Sequence, residues 1–166
     1  MTNKILSTID FIRHYIYNFI RYSLKGHVMI IAMPIKTSSH DAALAPLFGN
    51  AKFFAFATDD SHIDVVTMEQ TGGRDVARTL VANNIDVLIT SHLGFNPYVL
   101  LKSYGIKVYF AGESRITINE AIKAFFTNQL VEVSAENFET LLGDHDHHGG
   151  DHQHQGANCC SHHAHG

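Results

Sequence analysis

The chain has 166 residues and a formal net charge of −4, and 45% of its side chains are hydrophobic. This length and composition predict one domain with an apolar core and leave little chain for a second domain. Basic residues are not gathered into one strongly positive segment, which argues against a nucleic-acid-binding protein.

Residues 1–27 predict an amphipathic helical extension ahead of the domain. Five apolar residues recur at alternating steps of four and three and form one helical stripe: Ile5, Ile9, Ile12, Ile16 and Phe19. Charged residues interrupt the windows of about 20 residues that could cross a bilayer, so no transmembrane segment is expected. The helix could bind an interface or a partner, pack on its own domain, or precede a natural start at Met29.

Three strands are predicted in the first part of the domain. The apolar run at 28–33, which ends at Pro34, predicts a central strand buried on both faces. The runs at 53–58 and 63–67 flank a polar loop of about four residues and predict an antiparallel hairpin.

Helices and strands are expected to alternate after Gly72-Gly73. A helical apolar face ends near Asn83-Asn84, a strand follows at 87–90, and a helix opens at Asn96-Pro97 and closes at Gly105. A strand is predicted at 107–110, and a capping box of Thr117 and Glu120 begins the next helix. A short strand at 131–133 and a helix at 135–142 complete the domain.

This order predicts an α/β domain over residues 28–143 with a mixed five-stranded sheet and helices on both faces. The first, fourth and fifth strands are expected to be parallel, and ligands of such sheets bind beyond the carboxyl ends of the strands. That edge comprises residues 34–36, 91–94 and 111–113. His92, beside a strand end, and His40, in a loop, are the candidate cofactor ligands, although a structural His92 and a solvated His40 are the simpler alternatives.

Six short segments of the domain carry a family resemblance: MIIAMP at 29–34, LFGNA at 47–51, Gly72-Gly73, NIDVLIT at 84–90, GIKVY at 105–109 and TINEAI at 117–122. In this order and spacing, the chain resembles the dinitrogenase iron-molybdenum cofactor biosynthesis family from about Met29 to Val133. The resemblance implies a ribonuclease H-like three-layer fold and a non-enzymatic protein that holds iron-sulfur or iron-molybdenum cluster precursors.

The chain departs from this family at the expected cluster ligands. Many members have a histidine where this chain has Leu47, and some bring cysteines into the domain, whereas residues 28–143 contain none. Because thiolates are the main ligands of iron-sulfur clusters, a cluster here could use only His40, His62 or His92, or sulfur from elsewhere. The strands at 28–33 and 87–90 also lack the carboxylates of a two-metal nuclease, so no enzyme is expected.

Residues 144–166 are predicted to form a metal-binding tail. Eight of the thirteen histidines lie here, and the segment has no Leu, Ile, Val, Phe or Met, so we expect it to be disordered without metal. The candidate ligands are His145, His147, His148, His152, His154, Cys159, Cys160, His162, His163 and His165.

Imidazole and thiolate ligands predict transition metal ions, namely zinc, nickel, copper or cobalt. Several interchangeable ligand sets favour storage, buffering or transfer of metal over a rigid centre. Since free imidazole has a pKa of about 6.5, metal should be released as the pH falls through about 6 to 5. The alternatives are a solvated low-complexity tail and a purification tag.

Two functions therefore remain. The chain could carry a metal cluster, with a protein partner for cofactor transfer, or it could be a nickel or zinc storage protein or metallochaperone whose domain is only a scaffold. A cytoplasmic location is expected in both cases, because the adjacent Cys159 and Cys160 cannot staple a fold by a disulfide.

Overall fold

The computed structural model describes residues 28–58 and 62–143. The predicted helix within 1–27 and the metal ligands predicted within 144–166 lie outside these residues. The described strands are β1 (Ile30–Ile35), β2 (Phe53–Thr58), β3 (Ile63–Thr67), β4 (Val87–Thr90), β5 (Lys107–Phe110) and β6 (Val131–Glu132). The helices are α1 (Gly73–Ala82), α2 (Phe95–Ser103), α3 (Ile118–Phe126) and α4 (Phe138–Leu141), with a 3-10 turn at Phe48–Asn50.

One mixed sheet organises the domain, with the strand order β3-β2-β1-β4-β5-β6. Strands β1, β4 and β5 pair in parallel, and β2 and β3 form the predicted antiparallel hairpin. The sheet has six strands, so the expected count of five is wrong. The sixth strand, β6, has two exposed residues and pairs antiparallel with the end of β5, so its own burial pattern gives no sign of sheet membership.

Strand β1 continues through Pro34 to Ile35, beyond its predicted end. Proline has no N–H to donate to a neighbouring strand. It is tolerated here because β4 pairs only with Ile31 and Ala32, so the parallel ladder has already ended at Pro34. The Pro34 carbonyl accepts a hydrogen bond of 2.8 Å from the backbone N–H of Ala45, which holds the following loop over this end of β1.

Apolar side chains fill both faces of the sheet, as the sequence predicts. Helices α1, α2 and α4 cover one face, where their buried residues share a core with Ala32 and Leu88. Helix α3 covers the other face, where Ile118 and Ala121 pack with the alternate residues of β1. Strands β1 and β4 are thus buried on both sides, as their continuous apolar sequences require.

Two glycines bring the first turns of α1 and α2 close to the 3-10 turn. A Cβ on Gly49 would lie 2.8 Å from the backbone nitrogen of Gly73, and a Cβ on Gly73 would lie 3.1 Å from Pro97 Cγ. Gly72, just before α1, has a φ of +99°, which other residues rarely adopt. The Gly72-Gly73 pair therefore makes a tight turn and a close helix contact, and this packing shapes the site described next.

None of the helices in the described ranges is long and apolar enough to cross a membrane.

Candidate functional site

A groove of about 690 Å³ opens between the 3-10 turn, the first turns of α1 and α2, and α4 with the two residues that follow it. Four stretches of the chain that are distant in sequence form its walls. Its lining residues are Leu47, Phe48, Gly49, Asn50, Gly73, Arg74, His92, Leu93, Gly94, Phe95, Asn96, Pro97, Phe138, Glu139, Leu142 and Gly143.

His92 reaches this groove from the turn that follows β4. Its backbone is fixed, because the fully buried Thr90 hydroxyl donates a hydrogen bond of 3.1 Å to the His92 carbonyl. Its neighbours Ser91 and Leu93 are both buried, whereas the His92 side chain is half-buried. Within the described ranges the imidazole has no hydrogen-bond partner, so its nitrogen atoms are available to a ligand in the groove.

Two helix N-termini contribute positive partial charge to the same groove. The residues that precede α1 and α2 are Gly72 and Gly94, and neither helix start has a side-chain cap in the described part of the chain. First-turn N–H groups without a cap, together with the helix dipole, favour an anion. The guanidinium of Arg74 adds a full positive charge, and the carboxylate of Glu139 lies among the lining residues with the opposite charge.

An aromatic cluster holds α4 against α2 and closes the third wall. The ring of Phe138 lies 5.3 Å from that of Phe95 and 4.8 Å from that of Tyr98. The Tyr98 hydroxyl donates a hydrogen bond of 3.2 Å to the buried Val133 carbonyl. Burial raises the pKa of Tyr98 above 10.0, and the Glu132 carboxylate raises it further, so the phenol stays a neutral donor.

The other histidines of the domain lie away from this groove. His40 is exposed in the loop after β1 and does not line it. His62 is exposed at the start of β3, where its Nε2 lies 3.0 Å from an oxygen of Asp64. Among residues 28–58 and 62–143, no three His, Cys, Asp or Glu side chains are grouped as a metal site. The structure therefore does not bring His40 and His92 into one ligand set.

Of the three segments predicted to line the edge of the sheet, 92–94 line the groove and 34–36 and 111–113 do not. Residues 42–45 fold back over this part of the edge. The Lys36 N–H donates to the Ala43 carbonyl at 3.0 Å, and the Leu44 N–H donates to the Ile116 carbonyl at 2.9 Å. Because of these hydrogen bonds, the chain's own backbone covers this part of the sheet edge.

The sequence prediction missed three groove residues of chemical interest, Arg74, Phe95 and Glu139. Arg74 directly follows Gly72-Gly73, and Phe95 directly precedes Asn96-Pro97, so the two helix starts were the signals that could have identified them. Glu139 had no such signal, because its place in the groove depends on how α4 packs against α2.

A family model described as dinitrogenase iron-molybdenum cofactor matches residues 29–128. The apo form of the orange protein from Desulfovibrio gigas is similar at 23% identity and a TM-score of 0.59, covering 65% of this chain and 95% of that one. A NifB-like protein from Thermotoga is similar at 28% identity and a TM-score of 0.53, covering 63% and 92%. A dinitrogenase-like protein from Methanocaldococcus jannaschii has 18% identity and a TM-score of 0.52, covering 65% and 97%. No curated protein sequence matches the chain.

Proposed function

Because the chain belongs to the dinitrogenase iron-molybdenum cofactor family, we propose that it binds an iron-sulfur or iron-molybdenum cluster precursor in the groove beside His92. In this proposal the protein is a carrier that receives the cluster and passes it to a protein partner. One observation carries the proposal. The His92 imidazole, which has no hydrogen-bond partner in the described ranges, lines the same groove as Arg74 and two helix starts without a side-chain cap.

The charge of the groove supports this cargo. Clusters of iron, molybdenum and sulfide are anionic, and uncapped N–H groups at helix starts favour anions. One imidazole can anchor a metal of the cluster while Arg74 and the backbone N–H groups face its sulfide atoms. This mode of binding needs no thiolate from residues 28–143, which contain no cysteine.

A carrier function also agrees with the sequence of the central strands. Strands β1 and β4 carry no acidic residue, whereas ribonuclease H-type catalysis needs carboxylates there to position two metal ions. The strand order β3-β2-β1-β4-β5, in which β2 runs antiparallel to β1, supports a ribonuclease H-like classification of the domain. We therefore propose a ribonuclease H-like scaffold without an enzymatic function.

The histidine- and cysteine-rich residues 144–166 support a second part of the proposal, in which the tail gathers zinc, nickel, copper or cobalt ions. The alternative function, a nickel or zinc storage protein or metallochaperone with a scaffold domain, is favoured by Leu47, which stands where many family members have a histidine. The reducing cytoplasm is the proposed location, because it would keep Cys159 and Cys160 available as thiolates.

Anaerobic reconstitution of the full chain with ferrous iron and sulfide tests the proposed function. We expect a visible charge-transfer absorption that is reduced several-fold in His92→Asn and in Arg74→Ala. His62→Asn, which changes an exposed imidazole on the hairpin, is the matched control and should reconstitute like the unaltered chain.

A further full-chain variant, with the eight tail histidines changed to Asn and both cysteines to Ser, separates the two functions. A chromophore that depends on His92 and Arg74 supports the cluster carrier. A chromophore that depends on the tail and is indifferent to both groove variants supports the storage protein. The absence of any chromophore under these conditions contradicts the carrier function.

A further inference from the structure

The last residue of β4, Thr90, places a hydroxyl in the apolar core. The other residues of this strand are Val, Leu and Ile, all four are buried, and Thr90 is 0% exposed. Burying a hydroxyl is unfavourable unless it is hydrogen-bonded, whereas valine has nearly the same shape and carries no such cost. Threonine at this position is therefore explained by what its hydroxyl binds.

Buried polar side chains are few in the described ranges and are concentrated beside His92. They are Thr58, Thr90 and Ser91. The Thr90 hydroxyl donates its hydrogen bond of 3.1 Å to the His92 carbonyl, and the Thr90 carbonyl accepts one of 2.9 Å from the Ala111 N–H. Thr90 is thus fixed to the sheet through its backbone and holds His92 through its side chain.

The segment between β4 and α2 is held at both ends, with His92 in its middle. Leu93 is buried, and the Gly94 carbonyl accepts a hydrogen bond of 3.1 Å from the Tyr98 N–H in α2. The bond from Thr90 limits the rotation of the peptide group that follows His92. Because the side-chain rotamers open to a residue depend on its backbone angles, this bond also limits the directions in which the imidazole can point.

The imidazole of His92 lacks the partner that usually orients a metal-binding histidine. Such a histidine donates its second ring N–H to a carboxylate, a carbonyl or a water, and loss of that bond weakens metal binding about 10- to 100-fold. No group of residues 28–58 and 62–143 makes this bond to His92. Within these residues, the orientation of the imidazole depends on the backbone and therefore on Thr90.

We propose that Thr90 is the positioning residue of the groove. Its buried hydroxyl fixes the direction of the His92 imidazole, so that a metal of the cargo is bound by a ligand that is already oriented. This inference rests on the proposed function and deepens it, because it names the residue that sets how tightly the groove holds its cargo. Thr90 does not line the groove, so its effect on the cargo has to pass through His92.

Three variants separate positioning from general stabilisation. Thr90→Val removes the hydroxyl and keeps the shape, and Thr90→Ser keeps a hydroxyl without the methyl group. The matched control is Thr58→Val, because Thr58 is also a buried threonine at the end of a strand, and its hydroxyl lies 3.5 Å from the carbonyl oxygen of a histidine, His62. His62 does not line the groove. A role in stability alone would affect both valine variants, whereas a role in positioning is specific to Thr90.

NMR spectroscopy of the full chain without added metal provides the first test, through the three-bond couplings about the Cα–Cβ bond of His92. We expect the couplings of a single rotamer in the unaltered chain, in Thr90→Ser and in Thr58→Val, and averaged couplings in Thr90→Val. The carbonyl carbon signal of His92 should also shift in Thr90→Val, because this carbonyl loses a hydrogen bond. Unchanged couplings in Thr90→Val would overturn the proposal. A Thr90→Val chain that no longer folds would also overturn it, since the hydroxyl would then serve the whole domain.

Anaerobic reconstitution of the full chain with ferrous iron and sulfide provides the second test. We expect Thr90→Val to raise the iron concentration at half-maximal chromophore about tenfold, whereas Thr90→Ser and Thr58→Val leave it nearly unchanged. In the His92→Asn background, Thr90→Val should have no further effect, because a positioning residue acts only through the group that it positions. Additive losses in the double variant contradict the proposal.

The positioning role and the carrier function fail in different ways. If the chromophore depends on His92 but is the same in Thr90→Val, the carrier function stands and Thr90 does not position the imidazole. If the unaltered chain forms no chromophore while Thr90→Val averages the His92 couplings, the carrier function is wrong and Thr90 still positions the imidazole in the groove.

Discussion

At the level of single residues, the groove depends most on the close approach of Gly49 to Gly73. A Cβ on Gly49 would lie 2.8 Å from a backbone nitrogen, which cannot move without shifting the start of α1. We therefore expect Gly49→Ala to lower the free energy of unfolding by about 1 to 3 kcal/mol, measured by urea denaturation.

Gly94→Ala is the matched control for this change. Gly94 has a φ of −65°, and a Cβ added there would lie 3.6 Å from its nearest neighbour, Pro97 Cδ, which is an ordinary contact. Gly94→Ala should change the free energy of unfolding by no more than about 0.5 kcal/mol. Equal stability of the two variants would show that the contact between the 3-10 turn and α1 is not tight in solution.

Leu47 offers a test of the groove at the same scale. Its side chain is 51% exposed and lines the groove that contains His92. Leu47→His places a second imidazole there, so we expect the reduced chain to bind Co²⁺ about tenfold more tightly in competition titrations. Val99→His, at a similarly exposed position of α2 that does not line the groove, should leave the affinity unchanged. If Leu47→His and Val99→His increase the affinity for Co²⁺ equally, the added imidazole at position 47 does not act through the groove.

Among the elements, α3 begins with the capping box that the sequence predicts. The Thr117 N–H donates to Glu120 Oε2 at 2.8 Å, and the Glu120 N–H donates to Thr117 Oγ1 at 3.4 Å. The Glu120 pKa is lowered below 4.5 mainly because its carboxylate accepts the hydrogen bond from the Thr117 backbone N–H. The hydrogen bond from the Thr117 hydroxyl lowers the pKa further. The ionised carboxylate therefore stabilises the folded chain.

This lowered pKa predicts a pH-dependent difference between the chain and Glu120→Gln. The contribution of the charge is fully present above the ordinary pKa of 4.5 and is lost as the pH falls through the lower folded-state pKa. Urea denaturation should find Glu120→Gln less stable than the unaltered chain at pH 7 and equally stable at low pH. The control Glu69→Gln, in an exposed loop, should not show this dependence. A stability difference that stays constant with pH would contradict the role of the charge.

Elements with a strong local signal were predictable, and those that depend on packing were not. The apolar faces of α1 and α3 and the buried runs of β1 and β4 can be identified in the sequence, because the spacing of apolar residues there follows their burial. Helix α2 starts at Phe95, earlier than Asn96-Pro97 indicates, because the Tyr98 N–H donates to the Gly94 carbonyl at 3.1 Å and so includes Phe95 in the first turn. Helix α4 is shorter than predicted, since Asn137 and Ser134 bond to each other's backbone and end the turn before it.

For the molecule as a whole, the site could be predicted only in part. The rule that ligands bind beyond the carboxyl ends of parallel strands identified His92, which does line the groove. The remaining walls come from the 3-10 turn, the start of α1, and α4 with the two residues that follow it, which meet only through long-range packing. The helix start after Gly72-Gly73 could have pointed to Arg74, but no periodicity or motif indicates how α4 packs, so Glu139 could not be assigned to the groove in advance.

Retention on immobilised nickel tests how metal ligands are divided between domain and tail. At neutral pH we expect the full chain to be retained without an added tag, since clustered neutral imidazoles bind Ni²⁺. Changing the eight tail histidines to Asn should abolish most of this retention. Changing His40, His62 and His92 to Asn should leave retention almost unaltered. Because the second variant removes every histidine between residues 28 and 143, equal retention of both variants would contradict the assignment of the tail as the main metal-binding segment.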